Sequence, residues 1–256
     1  MSSEAQAPLH LRFGDIEAHD DGRVLVGGNA GRVLRLTESG AALVRRWRSG
    51  DAVGDGRADR DLARRLVRSG FAHPVWGTTP YGHADVTVVV PVLDDATGLR
   101  SLMDALDQRL SVVVVDDGSA EPDEIARAAG RADVVRRAVP GGPASARNIG
   151  RRHVVTPITA YVDADCRPAP GWLDELLAHL ADPEVVAVAP RIRSLAGASL
   201  LERYESDRSP LDLGPDPARV TPRTRVSYVP SACLVVRSDA PDFDPGLRYG
   251  EDVDLI

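Results

Sequence analysis

Two acidic residues follow a short apolar run in the middle of the chain. The run Ile158–Val162 has the length and composition of a buried strand, and it ends in Asp163-Ala164-Asp165. In an α/β sheet, ligands bind outside the carboxyl ends of the strands. Mg²⁺ or Mn²⁺ takes oxygen ligands, usually one or two carboxylates, and completes its shell with water and substrate phosphates. The pattern therefore predicts a metal–diphosphate site, although aspartates of this kind also favour turns and helix caps.

A predicted helix start carries the second feature of such a site. Gly142-Pro143 leads into a helix from about Ala144 that contains Arg147 and Asn148. The free N–H groups and the dipole of a helix start favour an anion. Arg147 can add a charge-assisted, bidentate hold on a phosphate, while a solvated surface arginine is the alternative interpretation.

Polar residues also follow two earlier apolar runs. Pro91 closes the run that begins at Val86, with Asp94 just beyond it, and the next run ends in Asp116-Asp117-Gly118-Ser119. At a strand end, Asp117 can accept a hydrogen bond from the N–H of a base such as uracil. A simple turn carboxylate in the Asp-Gly-Ser bend fits equally well.

Strands alternating with helices must position these residues. From Asp85 onward, apolar runs of strand length alternate with segments of helical periodicity, which predicts a sheet of mainly parallel strands with helices on both faces. The predicted strands are centred on 86–91, 112–115, 134–135, 158–162, 185–188 and 229–236. Parallel strands end at one edge of a sheet, so the acids and Arg147 are expected to meet there.

The order of these motifs resembles that of glycosyltransferase family 2, whose fold is called GT-A. The matching segments are Val88–Pro91, Val115–Ser119, Ala144–Asn148, Asp163-x-Asp165 and Gly250–Asp254. The resemblance implies an α/β fold with a Rossmann-like mixed sheet over residues 84–256. It also implies Mg²⁺ or Mn²⁺ as cofactor and a nucleotide-diphosphate sugar as donor, UDP-glucose by resemblance.

The same resemblance assigns roles to individual residues. The donor would be bound by Pro91, Asp94, Asp117, Arg147, Asn148 and Asp163, and the metal by Asp165. Transfer needs one base that takes the proton of the acceptor hydroxyl. Asp252 is the first choice for that base and Glu251 the second, with inversion at the anomeric carbon. The alternative interpretation of Asp252 and Glu251 is an acidic first helical turn that complements the helix dipole.

Residues 1–78 form a separate pattern. Short apolar runs on either side of Gly27-Gly28 predict a hairpin, and two helical stripes follow, one with Val44 and Trp47 and the next ending at Gly70-Phe71. This winged-helix-like α+β pattern resembles the PqqD-type domains that recognise precursor peptides by adding them to a sheet edge. An accessory domain without a partner is the alternative, and Val75–His83 is predicted to be the linker.

The combination of both patterns resembles the glycosyltransferases of mycofactocin systems, which implies a peptide-derived acceptor such as premycofactocin. Two other functions stay open from the residues. One is a leader-peptide-binding adaptor with a degenerate transferase domain, and the other is a family 2 enzyme with a different acceptor, such as a polysaccharide. Binding of a nucleotide sugar with Mn²⁺ distinguishes an enzyme from the adaptor.

Composition and missing motifs argue against several other classes of function. A net charge of −7 and a pI near 5.4 argue against a nucleic-acid partner. The dinucleotide-binding Gly-x-Gly-x-x-Gly is missing after the first strand of the second unit, and without any lysine there is no Walker A motif. We expect a cytoplasmic chain with reduced thiols, no signal peptide and no membrane segment. The chain ends shortly after Asp252, so we expect a fragment whose later residues could associate with a membrane.

Overall fold

The structure, a computed structural model, describes residues 8–28, 31–195, 199, 204, 208–224, 226–247 and 250. The chain divides into two compact units. The first contains residues 1–79 together with 215–227, and the second contains residues 80–214 together with 228–256. Assignment of the two units to a peptide-recognition module and a catalytic domain remains a prediction.

In the described residues of the first unit there are two small antiparallel sheets and two helices. Its elements are β1 (Leu9–Phe13), β2 (Ile16–His19), β3 (Val24–Gly27), β4 (Arg32–Arg35), α1 (Glu38–Arg48), α2 (Arg57–Arg68) and β5 (Ala72–Trp76). Strands β2, β3 and β4 form one sheet in sequence order, and β1 pairs with β5 in the other.

Local sequence explains the helices of this unit. The Thr37 hydroxyl accepts a hydrogen bond from Gly40 N–H at 3.1 Å, so it caps the start of α1. Val44 and Trp47 of α1 are buried in the core with Leu66 of α2. The predicted linker begins too early, because Val75 pairs with His10 and lies inside β5.

The second unit is built around one six-stranded sheet. Its elements are β6 (Val86–Val92), α3 (Ala96–Ala105), β7 (Ser111–Asp116), α4 (Pro122–Ala129), β8 (Asp133–Arg136), α5 (Pro143–Arg151), β9 (Ile158–Val162), α6 (Trp172–His179), β10 (Ala187–Val188) and β11 (Cys233–Arg237). The order of strands across the sheet is β10-β11-β9-β6-β7-β8.

The sheet is mixed, as the family resemblance implies. Strands β9, β6, β7 and β8 are parallel, whereas β11 runs antiparallel to both β9 and β10. The last strand begins later than the sequence predicts. The predicted strand starts at Val229, whereas β11 starts at Cys233. The reversed direction of β11 brings its first residues, and not its last, to the carboxyl ends of the parallel strands.

Both faces of the sheet are covered. Val88 and Val90 lie in the core that contains α3, α4 and α6, while Val89 lies in a separate core with Ala144 of α5. Alternation along β6 therefore supplies both layers. A Cβ on Gly150 would overlap the Val89 side chain, so this glycine lets α5 lie close against the sheet. Within the described ranges, no helix combines the length and apolarity that crossing a bilayer requires.

Candidate functional site

A cleft lies at the carboxyl ends of the parallel strands, as the sequence predicts for a ligand site. Its volume is about 350 Å³, within the range of roughly 300–1,000 Å³ typical of small-molecule sites. The lining residues are Pro91, Val92, Leu93, Asp117, Gly142, Pro143, Arg147, Asp163 and Ser231. Four of the six predicted donor-binding residues, Pro91, Asp117, Arg147 and Asp163, therefore meet in one cleft.

Asp117 lies at the end of β7 and is almost fully buried. Its carboxylate accepts hydrogen bonds from Gly141 N–H at 2.9 Å and from Gly142 N–H at 2.8 Å. Arg137 donates to the same carboxylate at 2.8 Å and forms an ion pair with it. Asp117 thus anchors the loop that precedes α5 while it also lines the cleft.

Asp94 joins two loops beside the cleft and is not among the lining residues. Its carboxylate accepts from Ala120 N–H at 2.8 Å, and its own N–H donates to the Ser119 hydroxyl at 2.9 Å. Asp94 also has a left-handed backbone, with φ of 55°. These contacts favour a role in loop structure over the predicted direct contact with the donor.

Asp116, which precedes Asp117 in the sequence, is buried beneath the loops that Asp94 joins. Its carboxylate accepts from Ser119 N–H at 2.8 Å and forms an ion pair with Arg136. Burial alone would raise the pKa of Asp116. The hydrogen bonds from Ser119 and the Arg136 guanidinium outweigh that effect and hold the pKa below its ordinary value. Asp116 is therefore an ionised structural residue at the end of β7.

Arg147 and Asp163 form the charged pair of the cleft. Arg147 Nη2 donates to Asp163 Oδ1 at 2.7 Å. The arginine side chain is 3% exposed and the aspartate side chain is 32% exposed. Arg147 lies one turn inside α5, which begins at the cleft with Gly142 and Pro143. A cation and a helix start therefore face the same space, which suits an anionic ligand.

Asp165 is exposed in the turn after β9, two residues beyond Asp163. In the part of the chain that the structure describes, no group of three or more His, Cys, Asp or Glu side chains could hold a metal ion. Mg²⁺ needs no such group, because one or two carboxylates together with substrate phosphates suffice. Asp165, an exposed carboxylate two residues beyond the cleft-lining Asp163, therefore fits a divalent ion that binds together with a diphosphate.

Cys166 follows this acid pair. Its thiol donates to the carbonyl oxygen of Ala232 at 3.2 Å. Burial, together with the negative charge of Asp163, raises the pKa of Cys166 to about 12. The thiol is protonated at neutral pH, so Cys166 is not an activated nucleophile.

One further predicted residue, Asn148, lies outside this cleft, and two others are not described. Asn148 is buried in α5 outside the cleft lining, and its side-chain amide bonds the backbone of Phe243. The two predicted catalytic residues, Glu251 and Asp252, lie outside the described residues.

Ser231 lines the cleft although no motif in the sequence indicates it. It immediately precedes Ala232, whose carbonyl oxygen accepts from Asp163 N–H at 2.9 Å. Because β11 is antiparallel to β9, the segment before β11 lies beside Asp163. The antiparallel direction of β11 was the missing information, since a parallel strand would place Ser231 at the opposite edge.

Comparison with known proteins identifies sequence relatives of this chain. Residues 87–240, more than half of the chain, match the model of the family "Glycosyl transferase family 2". The "Pre-mycofactocin glycosyltransferase" of Mycobacterium tuberculosis H37Rv is 44% identical over 245 residues, which are 92% of this chain and 51% of that protein. "Glycosyltransferase AglE" of Haloferax volcanii is 28% identical over 134 residues, covering 47% of this chain and 44% of the relative. The chain thus spans about half the length of these curated relatives.

The fold also has a counterpart among solved structures. The mannosyltransferase PcManGT from Pyrobaculum calidifontis, in complex with GDP-Man and Mn²⁺, superimposes with a TM-score of 0.51. It is 22% identical, and the match covers 75% of this chain and 56% of that chain. This similarity shows the fold, and the expected GT-A class is confirmed. Because the family model matches more than half of its length, the chain belongs to glycosyl transferase family 2.

Proposed function

We propose that this chain carries the donor site of a metal-dependent, inverting glycosyltransferase that moves glucose from UDP-glucose to a peptide-derived acceptor such as a mycofactocin precursor. The observation that carries the proposal is the convergence of Asp117, Arg147 and Asp163 in one cleft at the carboxyl ends of the strands. The acceptor class is supported by the 44% identical mycobacterial relative named for that substrate.

The chain's own groups divide the work of holding the donor. The base would lie between Pro91 and Asp117, the ribose beside Asp163, and the diphosphate against Arg147 and the start of α5. Charge that develops on the leaving diphosphate is then stabilised by a guanidinium that is already in place. Because the Arg147 side chain is 3% exposed, little water screens this interaction.

Asp165 is the residue proposed to hold the divalent ion, with Asp163 beside it. When bound, Mg²⁺ or Mn²⁺ supplies Lewis-acid stabilisation of the diphosphate oxygens. Asp163 is already paired with Arg147 at 2.7 Å, so we propose that it orients the guanidinium and accepts from the ribose hydroxyls. The more exposed Asp165 is left for the ion.

Asp252 is the proposed general base, and Glu251 is the second choice. A base must lie within hydrogen-bond reach of the hydroxyl whose proton it takes. Attack by that hydroxyl from the side opposite the diphosphate inverts the anomeric carbon. The order of the acidic motif Gly250–Asp254 after the other family motifs supports this assignment.

The first unit is proposed to recognise the peptide part of the acceptor or its precursor. Strand β4 is an edge of the three-stranded sheet, and Val33 on it is 62% exposed. An exposed edge with an apolar side chain is a suitable place for an added peptide strand.

The decisive experiment is a transfer assay with the full-length protein, UDP-glucose, Mn²⁺ and a mycofactocin-type precursor, followed by mass spectrometry. We expect a mass increase of one hexose and a β-linkage from the α-linked donor. UDP-galactose and GDP-mannose serve as matched donor controls and should react more slowly. Absence of transfer together with tight binding of the peptide would instead favour the adaptor.

The Asp252→Asn variant tests the chemistry separately from binding. It should keep its affinity for UDP with Mn²⁺ and lose transfer, because only the proton acceptor is removed. Undiminished transfer by this variant would move the base to Glu251 or end the assignment.

A further inference from the structure

Helix α5 contacts the segment that follows β11, here called the anchored segment and defined as residues 238–247. Asn148 and Arg151 are three positions apart, so they share one face of α5. Both side chains bond to residues between Ser238 and Phe243. The helix whose start borders the donor cleft therefore also holds a second part of the chain.

Asn148 makes the central contact. Its side-chain N–H donates to the carbonyl oxygen of Phe243 at 2.8 Å, and its side-chain oxygen accepts from Phe243 N–H at 2.9 Å. The asparagine is 8% exposed. Both ends of one amide are thus used on a single backbone position, which fixes Phe243 in distance and orientation. Loss of that amide would leave a buried N–H and a buried C=O without these bonds.

Arg151 holds the beginning of the anchored segment. Its Nη2 donates to the carbonyl oxygen of Ser238 at 2.8 Å, and its Nη1 donates to Asp242 at 3.1 Å. The side chain of Arg151 is 16% exposed, whereas that of Asp242 is 59% exposed. Arg151 and Asn148 together fix three positions of the segment.

The Phe243 side chain links the same segment to the charged pair of the cleft. Its ring lies edge-on to Tyr161 of β9, with centroids 5.1 Å apart and an interplanar angle of 80°. The guanidinium carbon of Arg147 lies 5.4 Å from the ring centroid. The arginine that we assign to the diphosphate therefore contacts Phe243 on one side and Asp163 on another.

We propose that Asn148 and Arg151 are positioning residues that hold the anchored segment against α5, and that this attachment sets the acceptor side of the enzyme relative to the donor diphosphate. The anchored segment leads within a few residues to Glu251 and Asp252, the proposed base. The proposal rests on the proposed function for its consequence in catalysis. It replaces the sequence-based assignment of Asn148 to donor binding.

The two roles of Asn148 predict different kinetics. A donor contact, when removed, weakens binding of UDP with Mn²⁺. A positioning contact, when removed, leaves that binding intact and lowers kcat, because the acceptor hydroxyl and its base are misplaced. Arg147 lines the cleft and Asn148 does not, which favours the second outcome.

The test compares Asn148→Ala with wild type in the full-length protein by three measurements. Hydrogen exchange reports on the Phe243 amide, calorimetry gives the affinity for UDP with Mn²⁺, and steady-state transfer gives kcat and KM. We expect exchange of the Phe243 amide to become faster and kcat to fall, each by about tenfold or more. The affinity for UDP should stay within about twofold of wild type. Arg152→Ala is the control, because Arg152 is the exposed neighbour of Arg151 at the end of the helix.

A second variant covers the case in which Asn148→Ala fails to fold. Arg151→Ala removes the bonds to Ser238 and Asp242 from a side chain that is less buried than Asn148, and it should raise exchange at Ser238–Phe243 and lower kcat. Arg151→Lys, which restores one donor and the charge, should recover part of kcat. Loss of UDP affinity in Asn148→Ala, or unchanged exchange in both variants, would overturn the positioning role.

Failure of the proposed function would look different. A wild-type protein that bound UDP but transferred no hexose would refute the function. The exchange rate and UDP affinity of the variants would still decide whether α5 fixes the anchored segment independently of the donor.

Discussion

Replacement of Arg147 by methionine removes the central cation of the cleft with little change in side-chain volume. Arg147→Met keeps an unbranched apolar stem and deletes the donors that face Asp163 and the proposed diphosphate. A hydrogen bond to a charged group contributes about 1.5–3 kcal/mol. At 1.4 kcal/mol per factor of ten, UDP affinity should fall roughly ten- to hundredfold.

The same change affects stability through Asp163. The removal of one partner of a fully buried ion pair costs about 3–5 kcal/mol, because the other charge stays buried. The Asp163 side chain is 32% exposed, so water can replace part of the lost interaction. We therefore expect the free energy of unfolding to fall by about 1–3 kcal/mol, which is below the range for a fully buried pair.

Calorimetric titration of UDP in the presence of Mn²⁺ measures the first effect, and urea unfolding measures the second. Arg147→Lys should lie between wild type and methionine, because it keeps the charge and loses the planar fork. Arg152→Met controls for the loss of one arginine at the exposed C-cap of the same helix. UDP affinity within about twofold of wild type in Arg147→Met would refute the assignment of Arg147 to the diphosphate.

Three other perturbations test separate parts of the structure. Gly150→Ala should lower the free energy of unfolding by about 1–2 kcal/mol in urea titrations, because overlap with Val89 outweighs the gain in helix propensity; a more stable variant would contradict the close packing of α5. The pKa of Asp116 is lowered in the folded state, so its stabilisation is present above the ordinary pKa of the carboxyl and is lost as the pH falls through the native pKa. Asp116→Asn weakens the pair with Arg136, so it should destabilise the protein by about 1–3 kcal/mol at pH 7. This loss of stability should become progressively smaller below about pH 4. A difference in stability that did not depend on pH would exclude the carboxylate as the cause. Asp165→Ala should abolish the dependence of UDP binding on Mn²⁺ in calorimetry, whereas an unchanged Mn²⁺ dependence would place the ion elsewhere.

The strand ends of the second unit are predictable because the parallel strands are continuous apolar runs. Valines in succession mark strands buried on both faces, and the first polar residue after each run marks its carboxyl end. Asp117 and Asp163 can therefore be placed at one edge of the sheet from the amino-acid sequence alone. Arg147 can be placed there because a Gly-Pro helix start follows the loop after β8.

The direction of a later strand, and the residues that a buried side chain contacts, cannot be predicted in the same way. An apolar run such as 229–236 has the same composition in either direction, so neither the antiparallel β11 nor the placement of Ser231 follows from it. Asn148 is adjacent to Arg147 in the family motif, yet successive helical residues point about 100° apart. Its partner, Phe243, is distant in sequence, and no periodicity links the two.

The charge balance of the cleft gives a physical reason for the proposed pairing of a divalent ion with the diphosphate. Among the described lining residues, the charged ones are Asp117, Arg147 and Asp163, so acids outnumber cations. Arg137 offsets Asp117, and Arg147 is already paired with Asp163. A diphosphate would thus enter a site whose own charges are nearly balanced, and its negative charge would be largely uncompensated. Under the proposed function, a divalent ion held by Asp165 would supply the missing positive charge, so donor and metal would bind interdependently and no preformed metal cage would be needed.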